Sequence, residues 1–248
     1  MPTRLRLIIC LFLVATVVVG LERVAAGAAD GSNRIDGQCN PILLVLEFFD
    51  GVTPPALPTG WSSTTWVTSN SGVPMPPADT PPNAAFVDDP ATISDKQLLS
   101  PSIDSICDAG AVQVAFRNNF DLQDGFDGGV LEVSYDDGLT FQDVLAVGTF
   151  VLGGYNGAIN SCCGNPLAGR QAWTGNSGGF IDSIVSLPEE CIHQIILRWR
   201  MGSDSSVSGE GWRIDNVAIT QCPNSFPRPR ERPTPRVRPT PQRRPTAP

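Results

Sequence analysis

Apolar residues recur along this chain in short alternating runs rather than in any long stretch of 3.6-residue period, a pattern that predicts β-strands separated by turns. The clearest run is GWRIDNVAIT, Gly211 to Thr220. A regular strand here sends Trp212, Ile214, Asn216 and Ala218 to one face and Arg213, Asp215, Val217 and Ile219 to the other. Either choice of buried face then takes a polar group with it. The run ILLVLEFFD, Ile42 to Asp50, has the same difficulty, because Glu47 shares a face with Leu43, Val45 and Phe49. A carboxylate withdrawn from water must be neutralised, paired or placed on a metal. These two runs are therefore expected to be the first and last strands of one domain and to share a bound cation through Glu47 and Asp215. Ion pairing to Arg198, Arg200 or Arg213 is the competing arrangement.

Between them lie further strand-like runs: LLSPSI (Leu98 to Ile103), AVQVAFRNNF (Ala111 to Phe120), the alternating Val130 to Tyr135, SGGFIDSIVSLP and CIHQIILRWRM. Asp137 and Gly138 predict a tight hairpin turn after Tyr135. The Pro-rich stretches from Asp50 to Pro90 read as surface loops with a strand near Ala84 to Val87. Asp121, Asp124 and Asp127 recur every third residue in a Gly-containing loop, without the spacing or closing Glu of an EF-hand, and serve equally as turn formers. Gly153 to Ala172 is a glycine-rich excursion too long for a tight turn. It lacks the Lys-Ser/Thr step and following helix of a phosphate cradle. About nine strands with both chain ends at one sheet edge fit an all-β fold, a two-sheet antiparallel jelly-roll sandwich.

The ends differ from this body. Arg4 and Arg6 precede an apolar run, Leu7 to Val19, which is too short to span a bilayer comfortably and is followed by small residues, so residues 1–29 read as a secretory signal, with an uncleaved anchor as the alternative. Residues 223–248 are rich in Arg, Pro and Thr and predict a disordered, extended arm. That arm is a solvated spacer or an attachment to an acidic cell-wall polymer or membrane surface. The domain is expected over 30–222. Of the 25 acidic residues, all but Glu22 and Glu231 fall within it, against only Arg34, Lys96, Arg117, Arg170, Arg198, Arg200 and Arg213. So acidic a body argues against nucleic acid and for cations.

The chain has seven cysteines, and setting aside Cys10 in the apolar run leaves an even set: Cys39, Cys107, Cys162, Cys163, Cys191 and Cys222. An even number in an exported chain predicts disulfides, with Cys39 and Cys222 placed to clamp the ends of the domain. Cys162 and Cys163 are expected to reach different partners, because neighbouring cysteines bond each other only with strain. Zinc is disfavoured by the absence of a CxxC pair and by the single histidine, His193.

Several motifs occur together and in order: ExFDG at Glu47 to Gly51, LPTGW, DGGVLEVSYDDG, GGYNG, NPLAGRQAWTGNSGGF, LRWRMGSDSS and GWRIDNV. Over nearly all of Cys39 to Cys222 this set resembles the secreted jelly-roll domains of the cleaved-adhesin and MAM-like group, found beside exported peptidases such as immune inhibitor A and in gingipain adhesin regions. The resemblance implies a non-catalytic, calcium-stabilised module for adhesion or substrate recognition, secreted or at the cell surface. Its metal ligands would map to Glu47 and Asp215, with Asp50 and Asp88 as further candidates. The partner class is an extracellular glycan or a surface protein. Trp173 and Tyr155, in the glycine-rich loops, are the candidates for a sugar-stacking face. The other readings are a structural surface protein without a pocket and a glycoside hydrolase pairing Glu132 with Glu210. Serine or cysteine hydrolysis lacks a placed base, since His193 lies mid-strand.

Overall fold

The computed structural model describes residues 41–106, 109–188 and 194–223. The expected signal segment, nearly all of the arginine-rich tail, Cys39, Cys107, Cys191 and His193 lie outside the described residues. The strands are β1 (Ile42–Glu47), β2 (Val67–Ser69), β3 (Ala84–Val87), β4 (Ser94–Leu99), β5 (Ile103–Asp104), β6 (Ala109–Asp121), β7 (Gly128–Ser134), β8 (Gln142–Asp143), β9 (Thr149–Leu152), β10 (Gly157–Ala158), β11 (Gln171–Ala172), β12 (Ile181–Leu187), β13 (Gln194–Ser203) and β14 (Gly211–Pro223). A single helical turn, α1 (Val144–Val147), interrupts them. All pairings are antiparallel. One large sheet runs β2-β3-β14-β6-β12-β9, with β1 also on β14, the other large sheet runs β4-β13-β7-β8, with β5 on β13, and β10 and β11 form a separate two-stranded ribbon. The two large sheets pack into a jelly-roll sandwich around Phe49, Phe116, Leu131, Trp173, Trp199, Trp212 and their neighbours. The first and last strands are hydrogen-bonded neighbours, but β14 lies inside its sheet, between β1 and β3 on one side and β6 on the other, rather than at the expected edge. Among the described residues no helix is long and apolar enough to cross a membrane.

The conflict of faces in β14 is resolved by a bulge. Asp215 pairs with Arg117 and Ala218 with Ala115, so β14 holds one residue more than β6 over that interval. Asn216 takes up the extra residue with φ of 51°, a left-handed conformation that asparagine tolerates better than most residues. The side-chain parity inverts there. Trp212, Ile214, Val217 and Ile219 all reach the core, while Arg213 and Asp215 point to the outer face. Strict alternation predicts that Trp212 and Val217 face opposite ways. The extra residue puts both inside.

Two loops cover what would otherwise be outer faces. The Pro-rich segment 70–82 lies over the outer side of β14 and β6. The glycine-rich excursion folds back on β7, where Trp173 and Gly129 exchange backbone hydrogen bonds of 2.9 Å in both directions. A small second core of Val130, Ile159, Leu167 and Ala172 forms beneath it, and every residue of β7 is buried. Gly129 is required there, because a Cβ at that position would stand 2.5 Å from the Trp212 ring. The hairpin after β7 turns at Asp137 and Gly138, with φ of 57° and 82°, the paired positive values of the expected turn. The expected strand over Leu98 to Ile103 is divided: Pro101, which has no N–H to donate, separates β4 from β5.

Candidate functional site

The sequence places Asp215 on a buried strand, and the structure buries it completely. Its protein partners are backbone amides, and among the described residues no arginine pairs with it. Asp79 and Thr80 N–H donate to Oδ2 at 2.8 and 3.0 Å, and Asn216 N–H donates to Oδ1 at 2.7 Å. Burial nonetheless pushes its carboxyl up to about 7. Arg213, two residues earlier and equally buried, does not pair with it. Its guanidinium donates to the carbonyls of Pro74, Pro77, Ser71 and Val73 at 2.8 to 3.1 Å and lies 4.5 Å over the Phe86 ring. Burial lowers its pKa to about 10. One loop thus gives its carbonyls to Arg213 and its amides to Asp215. Arg117, opposite Asp215 in the ladder, bridges Asp79 at 3.0 Å and Asp182 at 2.9 Å.

The expected cation shared by Glu47 and Asp215 does not match this placement. Glu47 pairs with Val217, and directly opposed residues project to the same side. Glu47 therefore goes with the core side of the sheet, beyond the bulge that turns Asp215 outward. Glu47 Oε1 accepts from Phe49 N–H at 2.7 Å, and burial raises its pKa. Asp50 accepts from Asn83 N–H at 2.9 Å and is likewise raised by burial. Asn83 donates its amide to the Phe49 and Val52 carbonyls, while its Oδ1 is buried without a donor. Glu47 and Asp50 thus gather with Asn83 around one turn, and Asp215 belongs to another network. Asp88 is exposed and holds Lys96 at 2.6 Å.

Trp173 and Tyr155 correct the expectation of an exposed stacking face. Trp173 is fully buried, with its indole N–H donating to Gly153 O at 3.0 Å and its ring edge-on to Phe116, Phe150 and Tyr155. The Tyr155 hydroxyl accepts from Leu131 N–H at 2.9 Å and donates to Leu131 O. Their local surroundings of glycines suggested loop tips. Instead the glycines let the excursion lie flat on β7, which turns both rings inward. Cys162 and Cys163 are also corrected, since they are disulfide-bonded to each other. Cys222 is disulfide-bonded as well.

The outer face of the second sheet carries a polar lattice that sequence reading did not assemble. Glu132, nearly buried, receives Arg170 Nη1 and Arg198 Nε at 2.6 Å each, with Arg200 at 3.5 Å. Arg170 also holds Asp143 at 2.6 Å. Arg200 forms a two-pronged pair with Asp95 at 2.8 and 2.7 Å, and these hydrogen bonds hold the Asp95 carboxyl below its ordinary range. Arg198 reaches Gln97 Oε1 at 3.2 Å and stacks 3.8 Å over Phe141. The signal was present in the sequence as alternation: Arg198 and Arg200 share one face of β13, opposite Leu197 and Trp199. Glu132 has both oxygens occupied by guanidinium groups and lies mid-strand in this sheet, whereas Glu210 is exposed beside β14 in the other, so the structure does not bring them together as a pair.

A third acidic group was also missed. Asp89, Asp127 and Asp204 are at most 3% exposed. Each gives one oxygen to a backbone amide, Asp89 and Asp127 also face each other, and the Asp127 and Asp204 Oδ2 atoms are buried without a hydrogen-bond donor. Asp89, adjacent to the candidate Asp88, is the buried member of that acidic pair.

No family model and no curated protein matches the chain. Among solved structures, it is similar to a K1 cleaved adhesin domain of Lys-gingipain from Porphyromonas gingivalis W83, at 15% identity over 71% of this chain and 96% of that one, TM-score 0.42. The carbohydrate-binding module TmCBM61, solved with β-1,4-galactotriose, matches at 13% identity over 70% and 97%, TM-score 0.40. A Stig cyclase from Fischerella sp. TAU matches at 15% identity over 74% and 99%, TM-score 0.41.

Proposed function

We propose that this chain is an exported, non-catalytic β-sandwich module that binds a hydroxyl-rich extracellular ligand, a glycan, on the outer face of the β4-β13-β7-β8 sheet. The observation that supports this reading is the lattice of Arg170, Arg198, Arg200, Gln97, Asp95 and Asp143 around Glu132, with Phe141 beside it. Planar donors and acceptors on regular strands, locked by one another and flanked by an aromatic ring, can recognise hydroxyl groups without first losing side-chain freedom. The arginines remain 16 to 26% exposed at the side chain, so a ligand can reach them. Export is supported by the disulfides and by the apolar N-terminal run with its basic start.

Calcium fits the turn at the end of β1, where Glu47, Asp50 and the donor-free Asn83 Oδ1 offer hard oxygen ligands. Bound there, the ion would neutralise two carboxylates that burial disfavours. The basic tail would add electrostatic attachment to an acidic polymer.

The test is binding of the full chain to a panel of neutral oligosaccharides, repeated with Gln97→Ala and Phe141→Ala, which touch the lattice from its edge without removing a guanidinium. A hit weakened roughly tenfold or more by both changes, in the range of one lost buried contact, supports this face. Binding indifferent to both, or none to any sugar, removes it.

A further inference from the structure

Cys162 and Cys163 are adjacent in the chain and bonded to each other, and both are exposed. In the chain-entropy account a disulfide stabilises through the length of chain it closes, and this one closes the shortest possible loop. It therefore contributes least as a clamp. Nor is it needed to place its own turn. Asn160 N–H donates to Gly125 O at 2.7 Å, and Gly169 N–H to Ile159 O at 2.8 Å. Asn160 Oδ1 accepts from Cys162 N–H at 3.0 Å. Past the pair, the buried Asn165 donates its carboxamide to Phe126 O at 2.6 Å and to Gly202 O at 2.9 Å, and accepts from Leu167 N–H at 2.7 Å. Ile159 and Leu167 anchor the same stretch in the small second core. Both ends of the turn are thus fixed by contacts that do not involve sulfur.

What the bond does constrain is local. Cys163 is held at φ of 72°, a left-handed backbone that cysteine rarely takes, and Gly164 follows at 85°. The turn also comes close to Ile93, since a Cβ on Gly164 would stand 2.7 Å from Ile93 Cδ1, and Ile93 leads directly into β4. Opening the ring frees Cys163 to leave its left-handed conformation while Asn160 and Asn165 keep the flanks in place. An exposed disulfide whose turn is held without it has the features of a labile bridge rather than a structural one. We propose that Cys162–Cys163 is a site of reversible thiol–disulfide exchange with low-molecular-weight thiols, a local redox switch in the turn beside β4. A small thiolate attacks one Sγ, the S–S bond breaks, and its electron pair leaves on the other Sγ. A second thiolate attacks the small-molecule sulfur of this mixed disulfide and releases the remaining cysteine thiolate. The two protons that the small thiols lost end on Cys162 and Cys163. Two small thiols are thereby oxidised to their disulfide, and the pair is reduced to two thiols. A small-molecule disulfide drives the same steps backward.

The experiment is graded reduction of the folded full chain at pH 7.5 with reduced glutathione, followed by alkylation with iodoacetamide and mass analysis of its peptides, with thermal unfolding measured in parallel. The disulfide of Cys222, in the last strand, is the internal reference. The expected result is that Cys162 and Cys163 are alkylated together at a thiol concentration at least roughly tenfold below the one that opens Cys222. The midpoint of unfolding should stay within about 4 °C, a minor loss for a domain of this length. Oxidised glutathione should then restore the unlabelled pair. Cys163→Ser leaves Cys162 as an attacking thiol with no neighbour to expel the adduct. With oxidised glutathione it should accumulate the mixed disulfide that the natural chain does not, and Cys162→Ser replaces it should it fail to fold. The double variant Cys162→Ser, Cys163→Ser should keep the natural midpoint within the same range and take up no glutathione in this turn. Reduction that needs the concentration opening Cys222, that occurs only in denaturant, or that brings a large drop in midpoint overturns the proposal and makes the bond structural. So does alkylation of both cysteines without reductant, because no ring then exists to exchange.

Discussion

Two buried acidic regions of this molecule look alike in the sequence and differ in the structure. At β14, Asp215 meets three backbone amides, and the loop that supplies two of them is held from the other side by Arg213 through four of its carbonyls. At the junction of Asp89, Asp127 and Asp204, each carboxylate meets a backbone amide with one oxygen, and Asp89 and Asp127 also face each other. The first is a complete polar network, in which ionised groups are satisfied by the chain's own backbone and fasten a Pro-rich loop to the sheet. The second brings like charges together, and the Asp127 and Asp204 Oδ2 atoms are buried without a hydrogen-bond donor. Burial and a raised pKa are common to both, with Asp215 and Asp127 each at about 7. What meets each carboxylate separates the two regions: backbone amides in the first, other carboxylates in the second.

The sharpest way to break this comparison is Asp215→Ala. It leaves the amides of Asp79, Thr80 and Asn216 without their acceptor, and at about 1–3 kcal/mol for each buried unsatisfied group the expected loss is about 3 kcal/mol or more, read as a lower denaturant midpoint with calcium and without it. Calcium insensitivity of that loss is the essential part. If chelator instead reproduced the effect of Asp215→Ala, Asp215 would be a metal ligand after all.

A smaller effect is expected from pH. Folding raises both Asp215 and Asp127 above their unfolded value, so the unfolded chain gives up these protons first, and the stability cost appears as pH rises from about 4 through about 7 and is complete above. Lowering the pH from 8 to 5.5 in chelator should therefore stabilise the domain, by up to a few kcal/mol at about 1.4 kcal/mol per pKa unit. Asp127→Asn should remove the share of that gain belonging to Asp127 and leave the share belonging to Asp215. A pH response unaltered by Asp127→Asn would mean that Asp127 takes no part in it.

The smallest expected change is that of Asp127→Asn in chelator at pH 7.5. It should fall within about 1 kcal/mol of the natural chain and on the stabilising side, since it relieves repulsion from Asp89 and Asp204. A loss as large as that of Asp215→Ala would mean that the charge of Asp127 is already compensated in the absence of metal.

Much of the architecture was legible along the chain. Alternation marked β6, β7, β13 and β14, the Asp137-Gly138 step marked the hairpin, and the polar residues inside GWRIDNVAIT showed that the last strand buries a carboxylate. The site was less legible. Asp215 was found, but its partners come from residues 79 and 80, more than a hundred positions away in the chain. Asp88 was chosen where its neighbour Asp89 is the buried one, because one residue of register decides which of two adjacent aspartates turns inward. Trp173 and Tyr155 lie in a glycine-rich excursion whose composition does not reveal whether it projects into solvent or folds back on β7. Cys162 and Cys163 were separated by an argument from strain, and the fold joins them.

By itself, then, the sequence determined the class of fold, the turns and the presence of carboxylates on strands with buried faces. These follow from local periodicity and from the conformational limits of single residues. Only the tertiary structure decided where those carboxylates point and what meets them. A single extra residue at Asn216 inverts the parity of β14, and loops remote in sequence bring either amides or more carboxylates to the same depth. Hydrogen-bond partners of buried groups are set by which segments pack together, and no local pattern encodes that choice.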